Sequence, residues 1–187
     1  MDSRKIVLPG FTLLELIVVI ALLGAVMAIV IPQIGKSPKQ QREEFVTKVN
    51  RLVGFAWQNA IRSGKTQKVD FDFETKKITL EQSTGKKDDK GEFTFAPVVR
   101  DYRATSVKIP ESFILKSFFI QGVDEVANRG GKISGAYFFI TPEGLAQSVV
   151  INFVDKKGKR AGRALPIGLV LNPFSAQFTV YGTFKTP

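Results

Sequence analysis

The sequence contains neither cysteine nor histidine among its 187 residues. Without cysteine there are no disulfides or thiol nucleophiles, and without histidine there are no imidazole bases. Zinc sites built from either residue are excluded with them. The glycine loops of nucleotide-binding proteins and the G-x-S-x-G elbow of hydrolases are missing as well. An enzyme or an anchored sensor would need a serine and lysine pair or a carboxylate pair, and none is convincing, so we predict no cofactor, no metal and no catalysis.

Negative charge is scarce relative to positive charge. Lysine and arginine number 27 against 17 aspartates and glutamates, which leaves a formal net charge of +10. Such a balance favours polyanionic neighbours, whether lipid headgroups, nucleic acid or an acidic protein surface, without choosing among them. The 16 phenylalanines offer apolar side chains for a core that has no disulfide to support it.

One long apolar run extends from Phe11 to Ile31. As a helix it would reach roughly 31 Å, about the thickness of the hydrocarbon core of a bilayer. Its only ionisable residue is Glu15, and a carboxylate in such a segment is costly to bury, which indicates a function and a partner. Arg4 and Lys5 precede the run and orient its amino terminus towards the cytoplasm.

Three other interpretations of this run stay open. A secretory signal could be cleaved near residues 26–28, the run could be a simple single-span anchor, and Glu15 could only reach out to the membrane interface. Against a secretory signal, the run is longer than the usual apolar core and contains Glu15.

Residues 10–16, Gly-Phe-Thr-Leu-Leu-Glu-Leu, follow a short basic leader and precede Pro32. This pattern resembles the class III signal of type IV pilins and pseudopilins. The resemblance implies that a prepilin peptidase cuts after Gly10 on the cytoplasmic side and methylates Phe11, the new amino terminus. It also assigns Glu15 a role in assembly. A cationic amine near a carboxylate in low dielectric is strongly attracted, so Glu15 is expected to pair with the amine of a neighbouring subunit.

A second helical period runs from Lys39 to Ser63, and Gly64 supplies a stop. Its apolar stripe consists of Phe45, Val49, Leu52, Val53, Ala56 and Ala60. We expect one long helix that kinks at Pro32 and packs this stripe on a globular head. The predicted domains are a leader at 1–10, a transmembrane half at 11–32, an amphipathic half at 33–64 and a β-rich periplasmic head at 65–187.

After Gly64 the pattern becomes that of strands. Val69 and Phe71 alternate with polar residues, and Ile78 and Leu80 do so after a turn, which predicts a hairpin. We expect loops at 83–92 and 124–135, a turn at 155–158 and a four-stranded antiparallel meander in the last third. The predicted fold class is α+β: a long N-terminal helix followed by an antiparallel head of two sheets, similar to a β-sandwich.

Two acidic groups invite a catalytic or metal-binding interpretation. Asp70 and Asp72 share one strand face, but lysines flank them and no third ligand is near, which favours a solvated face. Asp88, Asp89 and Glu92 carry carboxylates that calcium prefers, but the spacing of an EF-hand loop is absent.

The last 50 residues resemble the GspH/FimT class of minor pilin-like proteins, through a Phe-rich strand, the turn at 141–144, the segment 155–158 and an Asn-Pro turn at Asn172. The resemblance implies a minor pseudopilin of a type II secretion system, anchored in the inner membrane with a periplasmic head. Its implied partners are the major shaft and minor tip pseudopilins, the prepilin peptidase, the assembly platform and membrane lipid.

The alternative is a FimT-like minor pilin of a type IV pilus that binds DNA for uptake. A run of cations near the end of the chain motivates it, because clustered cations release counterions from phosphate backbones. A solvated, lysine-rich turn is the simpler interpretation of the same run. The candidate contact residues are Lys156, Lys157, Lys159, Arg160 and Arg163.

Overall fold

Two helices open the described chain, and they belong to different compact units. The computed structural model describes residues 12–30, 37–98, 105–160 and 163–187. One unit is Met1–Ser37 and the other is Pro38–Pro187, and each is described by itself. Helix α1 (Leu13–Val30) belongs to the first unit and helix α2 (Pro38–Ser63) to the second. Continuity of the two helices and a kink at Pro32 concern residues outside the described ranges, so both stay predictions.

Helix α2 starts and ends where its sequence directs. Pro38 is its first residue, a position where the missing N–H costs no hydrogen bond. Gly64 follows the last residue with a φ of 63°, the left-handed conformation that glycine adopts without strain. All six residues of the predicted apolar stripe are buried, as are Phe55 and Asn59. The amphipathic pattern is therefore confirmed, and it faces the core of the head.

In the described ranges, ten strands and a short helix follow α2. In chain order the strands are β1 (Gln67–Asp72), β2 (Lys77–Lys87), β3 (Phe93–Pro97), β4 (Ser106–Lys108), β5 (Phe113–Ile120), β6 (Val123–Asp124), β7 (Gly135–Ile140), β8 (Val149–Arg160), β9 (Arg163–Asn172) and β10 (Gln177–Tyr181). The short helix is α3 (Glu125–Asn128), whose N-cap Asp124 accepts a hydrogen bond from the N–H of Val126 at 3.0 Å. The α+β class is confirmed.

The strands form two antiparallel sheets. The first has the order β3-β2-β1-β7, with β4 also paired to β2, and the second has the order β10-β9-β8-β5-β6. The predicted hairpin is β1 and β2, in which Val69 faces Leu80 and Phe71 faces Ile78. These residues are buried, and the polar residues between them lie on the other face of the sheet.

Phenylalanines join the two sheets and α2 into one core. Phe71 of β1 contacts Phe118 of β5 edge to face, with ring centres 5.3 Å apart. Phe45 of α2 contacts Phe113 of β5 in the same way, also at 5.3 Å. Each buried phenylalanine contributes about 1.5 to 3 kcal/mol through the hydrophobic effect. Packing of phenylalanines therefore stabilises the head, which has no disulfide to do so.

The meander predicted for the last third is wrong in one strand. Strand β7 pairs with β1 in the first sheet, and only β8, β9 and β10 follow one another as neighbours. Alternation in sequence identifies a strand but not its partner, and the buried side of β7 faces the core whichever sheet holds it.

Two predicted loops and one predicted turn are also corrected. Strand β2 continues through Lys87, so the loop predicted at 83–92 begins only at Asp88. The loop predicted at 124–135 starts with the end of β6 and contains α3. The turn predicted at 155–158 is a bulge, because β8 runs on to Arg160 and its register with β9 shifts between Asp155 and Lys159. Aspartate and glycine serve bulges as well as turns, so composition alone did not separate the two.

Candidate assembly segment and basic surface

Thr12 and Glu15 form the start of α1. The side-chain oxygen of Thr12 accepts a hydrogen bond from the N–H of Glu15 at 3.2 Å, and its carbonyl accepts one from Leu16 at 3.2 Å. Thr-x-x-Glu at these positions is the sequence of a capping box, in which the hydroxyl satisfies an otherwise unpaired donor of the first turn. The Glu15 carboxylate also lies in the first turn of α1, near the positive end of the helix dipole.

The side chains of α1 are apolar on every side. All of them from Thr12 to Ala28 are exposed, and Leu13 retains 78% of its accessible surface. Within this range Glu15 is the sole ionisable group. A helix that is apolar on all sides requires an apolar environment, because its exposure to water is unfavourable over the whole length.

In the ranges that the structure describes, no helix combines the length and the apolar character needed to cross a membrane.

The predicted processing residues Gly10 and Phe11, and the predicted kink residue Pro32, lie outside the described residues. Their roles stay predictions. Of the assembly residues named from the sequence, the structure places Glu15, in the first turn of α1.

The predicted basic surface is centred on the β8 bulge. Lys156 and Lys157 are exposed there. The N–H of Lys156 donates to the carbonyl of Ser112 at 2.9 Å, and the N–H of Lys157 donates to the Asp155 carboxylate at 3.0 Å. Glycine at 158 leaves room for the same carboxylate, since a Cβ there would lie 2.8 Å from its second oxygen. The bulge is therefore held by hydrogen bonds to Ser112 and Asp155, and it presents two lysines to solvent.

The other three predicted cations of this surface are only partly described. Lys159 and Arg160 end β8 and Arg163 begins β9, so their backbones lie in the hairpin, but their side chains are outside the described part of the structure. The structure thus brings together Lys156 and Lys157 and leaves the rest of the basic contact a prediction.

Asp70 and Asp72 do not form a carboxylate pair. Asp70 and Glu81 both contact the ammonium of Lys68, at 3.5 and 3.1 Å. Burial lowers the pKa of Lys68, but the hydrogen bond to Glu81 and the charges of both acids outweigh it, and the net pKa is raised. Asp72 accepts hydrogen bonds from the N–H groups of Thr75 and Glu74, at 2.8 and 2.9 Å, which hold its pKa below the ordinary value. Both acids have structural roles.

In the acidic loop at 88–92, the Asp88 carboxylate is likewise hydrogen-bonded to backbone N–H groups of the loop. One carboxylate oxygen of Asp88 accepts hydrogen bonds from the N–H groups of Lys90 and Glu92, each at 2.9 Å. Across the described ranges there is no group of three or more acidic side chains placed to hold a metal ion. The geometry supports a turn at this loop.

Two side-chain amides protect the edges of the sheets. Neither was predicted from the sequence. The Asn50 side chain donates to the carbonyl of Phe178 at 3.0 Å and accepts from its N–H at 2.7 Å, so α2 closes the outer edge of β10. On β7, the N–H of Phe139 donates to the Gln147 side chain at 2.9 Å, and the N–H of Gln147 donates to the Phe139 carbonyl at 3.1 Å. Open strand edges invite pairing with other chains, so these contacts favour a discrete head. The only sequence signal was an asparagine beside an apolar stripe.

Comparison with known proteins gives a likeness of fold. No protein-family profile matches the chain, and no curated protein sequence matches it. A structure of the minor pseudopilin EpsH from the type 2 secretion system of Vibrio cholerae is similar, with a TM-score of 0.51 and 16% identity over 79% of this chain and 99% of that one. A crystal structure of EpsH from the same organism has a TM-score of 0.45 and 15% identity, over 76% of this chain and 99% of that one. At this identity the similarity concerns the fold, and the chain has a pseudopilin-like fold, as its N-terminal motif and its final strands predicted.

Proposed function

We propose that this protein is a minor pseudopilin, a structural subunit of a type II secretion pseudopilus that assists the export of folded proteins across the outer membrane. One observation carries the proposal: an apolar helix with Glu15 in its first turn precedes a head that has the fold of EpsH. The head supplies surfaces for neighbouring subunits and has no catalytic role. The partners are the major shaft subunit and the minor tip subunits.

The membrane segment of the proposal is residues 11–32. As a helix, this segment matches the hydrocarbon thickness of a bilayer, and its basic leader keeps the amino terminus in the cytoplasm. The inner membrane therefore holds the subunit by one span, with the head in the periplasm, before it enters the pseudopilus. The assembly platform in that membrane would then extract it.

The assembly contact of the proposal is between Glu15 and the amine of Phe11 in a neighbouring subunit. Cleavage after Gly10 by the prepilin peptidase creates that amine, and methylation keeps it cationic. In an apolar filament interior the attraction between the two charges is large, while an unpaired Glu15 would cost several kcal/mol. Exposure of the Glu15 side chain on the described helix is consistent with a partner supplied by another subunit.

Deletion of the gene tests the proposed function directly. We expect the deletion strain to lose secretion of folded exoproteins while pilus-dependent DNA uptake stays normal. Complementation with the intact gene should restore secretion. Normal secretion in the deletion strain would contradict the proposal.

A second candidate function is that of a FimT-like minor pilin that binds DNA. The observation in its favour is the β8 bulge, which holds Lys156 and Lys157 in solvent on a chain of net charge +10. The measurement is a gel shift with double-stranded DNA at several salt concentrations. If this function is right, DNA binding weakens steeply as salt is added. The double variant Lys156→Ala, Lys157→Ala should release about two fewer counterions, which lowers the slope of log binding constant against log salt concentration. The matched control is Lys86→Ala with Lys90→Ala, two exposed lysines at the end of β2 and in the loop that follows it. If the two double variants reduced DNA binding equally, the lysines of the bulge would be a solvated surface without a specific role in binding DNA.

A further inference from the structure

The outer face of the first sheet, which is turned away from the core, carries a cluster of aromatic rings. On β7, Phe138 and Ile140 are core residues, so the alternating residues Tyr137 and Phe139 lie on the outer face. Two phenylalanines of β3 line the same depression as these two rings. We call this surface the aromatic platform, and its rings are Phe93, Phe95, Tyr137 and Phe139.

Two rings of the platform meet across the sheet. Phe95 and Phe139 come from the outer strands β3 and β7, yet their ring centres are 5.4 Å apart and their planes differ by only 22°. The Tyr137 ring packs on Phe139, with centres 5.3 Å apart. Tyr137 is 45% exposed and Phe93 is 57% exposed. The rings therefore offer apolar surface to solvent around an open depression of about 650 Å³, a size typical of ligand sites.

Charged side chains lie between the rings of the platform. The Lys68 ammonium is 3.5 Å from the Asp70 carboxylate and 3.1 Å from that of Glu81. The same ammonium lies 4.7 Å from the centre of the Tyr137 ring. These charged residues belong to the inner strands β1 and β2, whereas all four rings belong to the outer strands β3 and β7. The ion pairs thus occupy the centre of the platform and the rings its two sides.

The balance of charge on the platform disfavours a nucleic acid as its occupant. The Lys87 ammonium lies 5.2 Å from the centre of the Phe93 ring. With Lys68 it balances the carboxylates of Asp70 and Glu81, so these four charges sum to zero on a chain of net charge +10. Polyanions bind through unpaired cations that displace counterions. A neutral occupant complements this surface better than a charged one.

The central position of the ion pairs disfavours a protein surface as the occupant. The cores of protein interfaces are rich in aromatic residues but poor in lysine, aspartate and glutamate, because charged groups are costly to remove from water. A neutral sugar avoids that cost. Its C–H groups pack on the faces of aromatic rings, and its hydroxyls replace water at the charged groups.

We propose that the aromatic platform binds a neutral oligosaccharide. Sugar hydroxyls donate to the carboxylates of Asp70 and Glu81 and accept from the ammonium of Lys68, while C–H faces lie on the rings of Tyr137 and Phe93. A strand of N-acetylated sugars, as in a bacterial cell wall, and a plain glucan share this chemistry. The site does not depend on which filament the chain joins, so it stands or falls separately from the proposed function.

The test is isothermal titration calorimetry of the full-length chain in a zwitterionic detergent, since a detergent with a sugar headgroup would compete. The probes are chitohexaose, which is N-acetylated, and cellohexaose, which is not. We expect a Kd below about 1 mM for at least one of them, and the tighter probe identifies the source. Because the probes carry no charge, the Kd should change little between low and high salt.

Removal of the two exposed rings tests the location of the site. Phe93→Ala with Tyr137→Ala should weaken binding by about tenfold or more, because both stacking surfaces are lost. The matched control is Phe184→Ala with Tyr181→Ala, which removes an equally exposed pair of rings at and after the end of β10. Thermal unfolding checks that each variant is folded. If the platform variant is not, Phe93→Ala and Phe184→Ala alone replace the two pairs.

Three results would overturn the proposal. The first is that neither hexasaccharide binds at concentrations up to about 10 mM. The second is an equal Kd for the platform variant and its control. The third is tighter binding of single-stranded DNA or of a proline-rich peptide than of either sugar, lost in the platform variant, which would assign the platform to a different class of partner.

Discussion

Helices α1 and α2 differ in the exposure of their apolar side chains. α1 has 18 residues, and its side chains are exposed from Leu13 to Ala28. α2 has 26 residues, and eight of its side chains are buried in the head. The apolar residues of α2 form a stripe that the head covers, whereas those of α1 lie on every side of the helix. Changes in α1 should therefore affect assembly, and changes in α2 should affect folding.

The largest expected effect lies just before α1. Gly10→Ala should leave the uncut precursor in the membrane and abolish function, because the peptidase is expected to require glycine before the cut. The measurement is the size of the protein on an immunoblot of membrane fractions. Gly24→Ala is the matched control, since Gly24 in α1 has open space where a Cβ would go. Efficient maturation of the Gly10 variant would refute the assigned signal.

Glu15→Val should separate processing from assembly. We expect normal cleavage but loss of the subunit from the filament, since the amine of a neighbour would lose its partner. The measurement is co-purification with the shaft subunit after cross-linking. Thermal unfolding of the head should be unchanged, because Glu15 belongs to the unit that ends at Ser37.

Glu43→Val provides the control on α2, where the exposed Glu43 carboxylate lies 3.9 Å from the ammonium of Lys39. Surface pairs of this kind contribute little, so both assembly and stability should persist. A Glu15 variant that assembled as well as this control would contradict the pairing of charges.

Phe45→Ala should destabilise the head by about 3 to 5 kcal/mol, because it removes a ring that contacts Phe113 and Phe153 in the core. Urea unfolding of the purified chain measures the change. Phe174→Ala is the control, since Phe174 is 75% exposed in a turn and should shift the free energy by less than about 0.5 kcal/mol. Equal losses in the two variants would mean that α2 is not part of the folding core.

The helices and most strands were predictable because their patterns are local. The stripe of α2 repeats with the helical period, and all six of its predicted residues are buried. The β1 and β2 hairpin followed in the same way from alternation around a short turn. The sequence motif around Glu15 also identified the start of α1, where Thr12 supplies the cap.

What the sequence did not predict depends on contacts between distant residues. The position of β7 in the first sheet is set by pairing with β1, which lies about 70 residues earlier. Asn152 and Gly168 carry no motif, and their role appears only where the segment after β10 meets them, through the backbones of Lys185 and Thr183. The Lys-rich segment at 155–158 has the composition of a turn, but pairing of β8 with β9 on both sides makes it a bulge. Local sequence patterns therefore predict where a strand lies, while its pairing partner depends on packing in the core.

The smallest expected effect is that of Asn50→Ala on α2. Asn50 is the point at which α2 protects the edge of β10, so its loss leaves the N–H and carbonyl of Phe178 without their partner and should cost about 1 to 3 kcal/mol. Asn50→Asp keeps an acceptor for the N–H but loses the donor, so its unfolding free energy should fall between those of Asn50→Ala and the parent. Gln58→Ala is the matched control, because Gln58 is exposed on the same helix. An Asn50→Ala variant as stable as the Gln58 control would show that packing of the α2 stripe alone holds β10, and the contrast between α2 and α1 would then rest on apolar contact without any polar contribution.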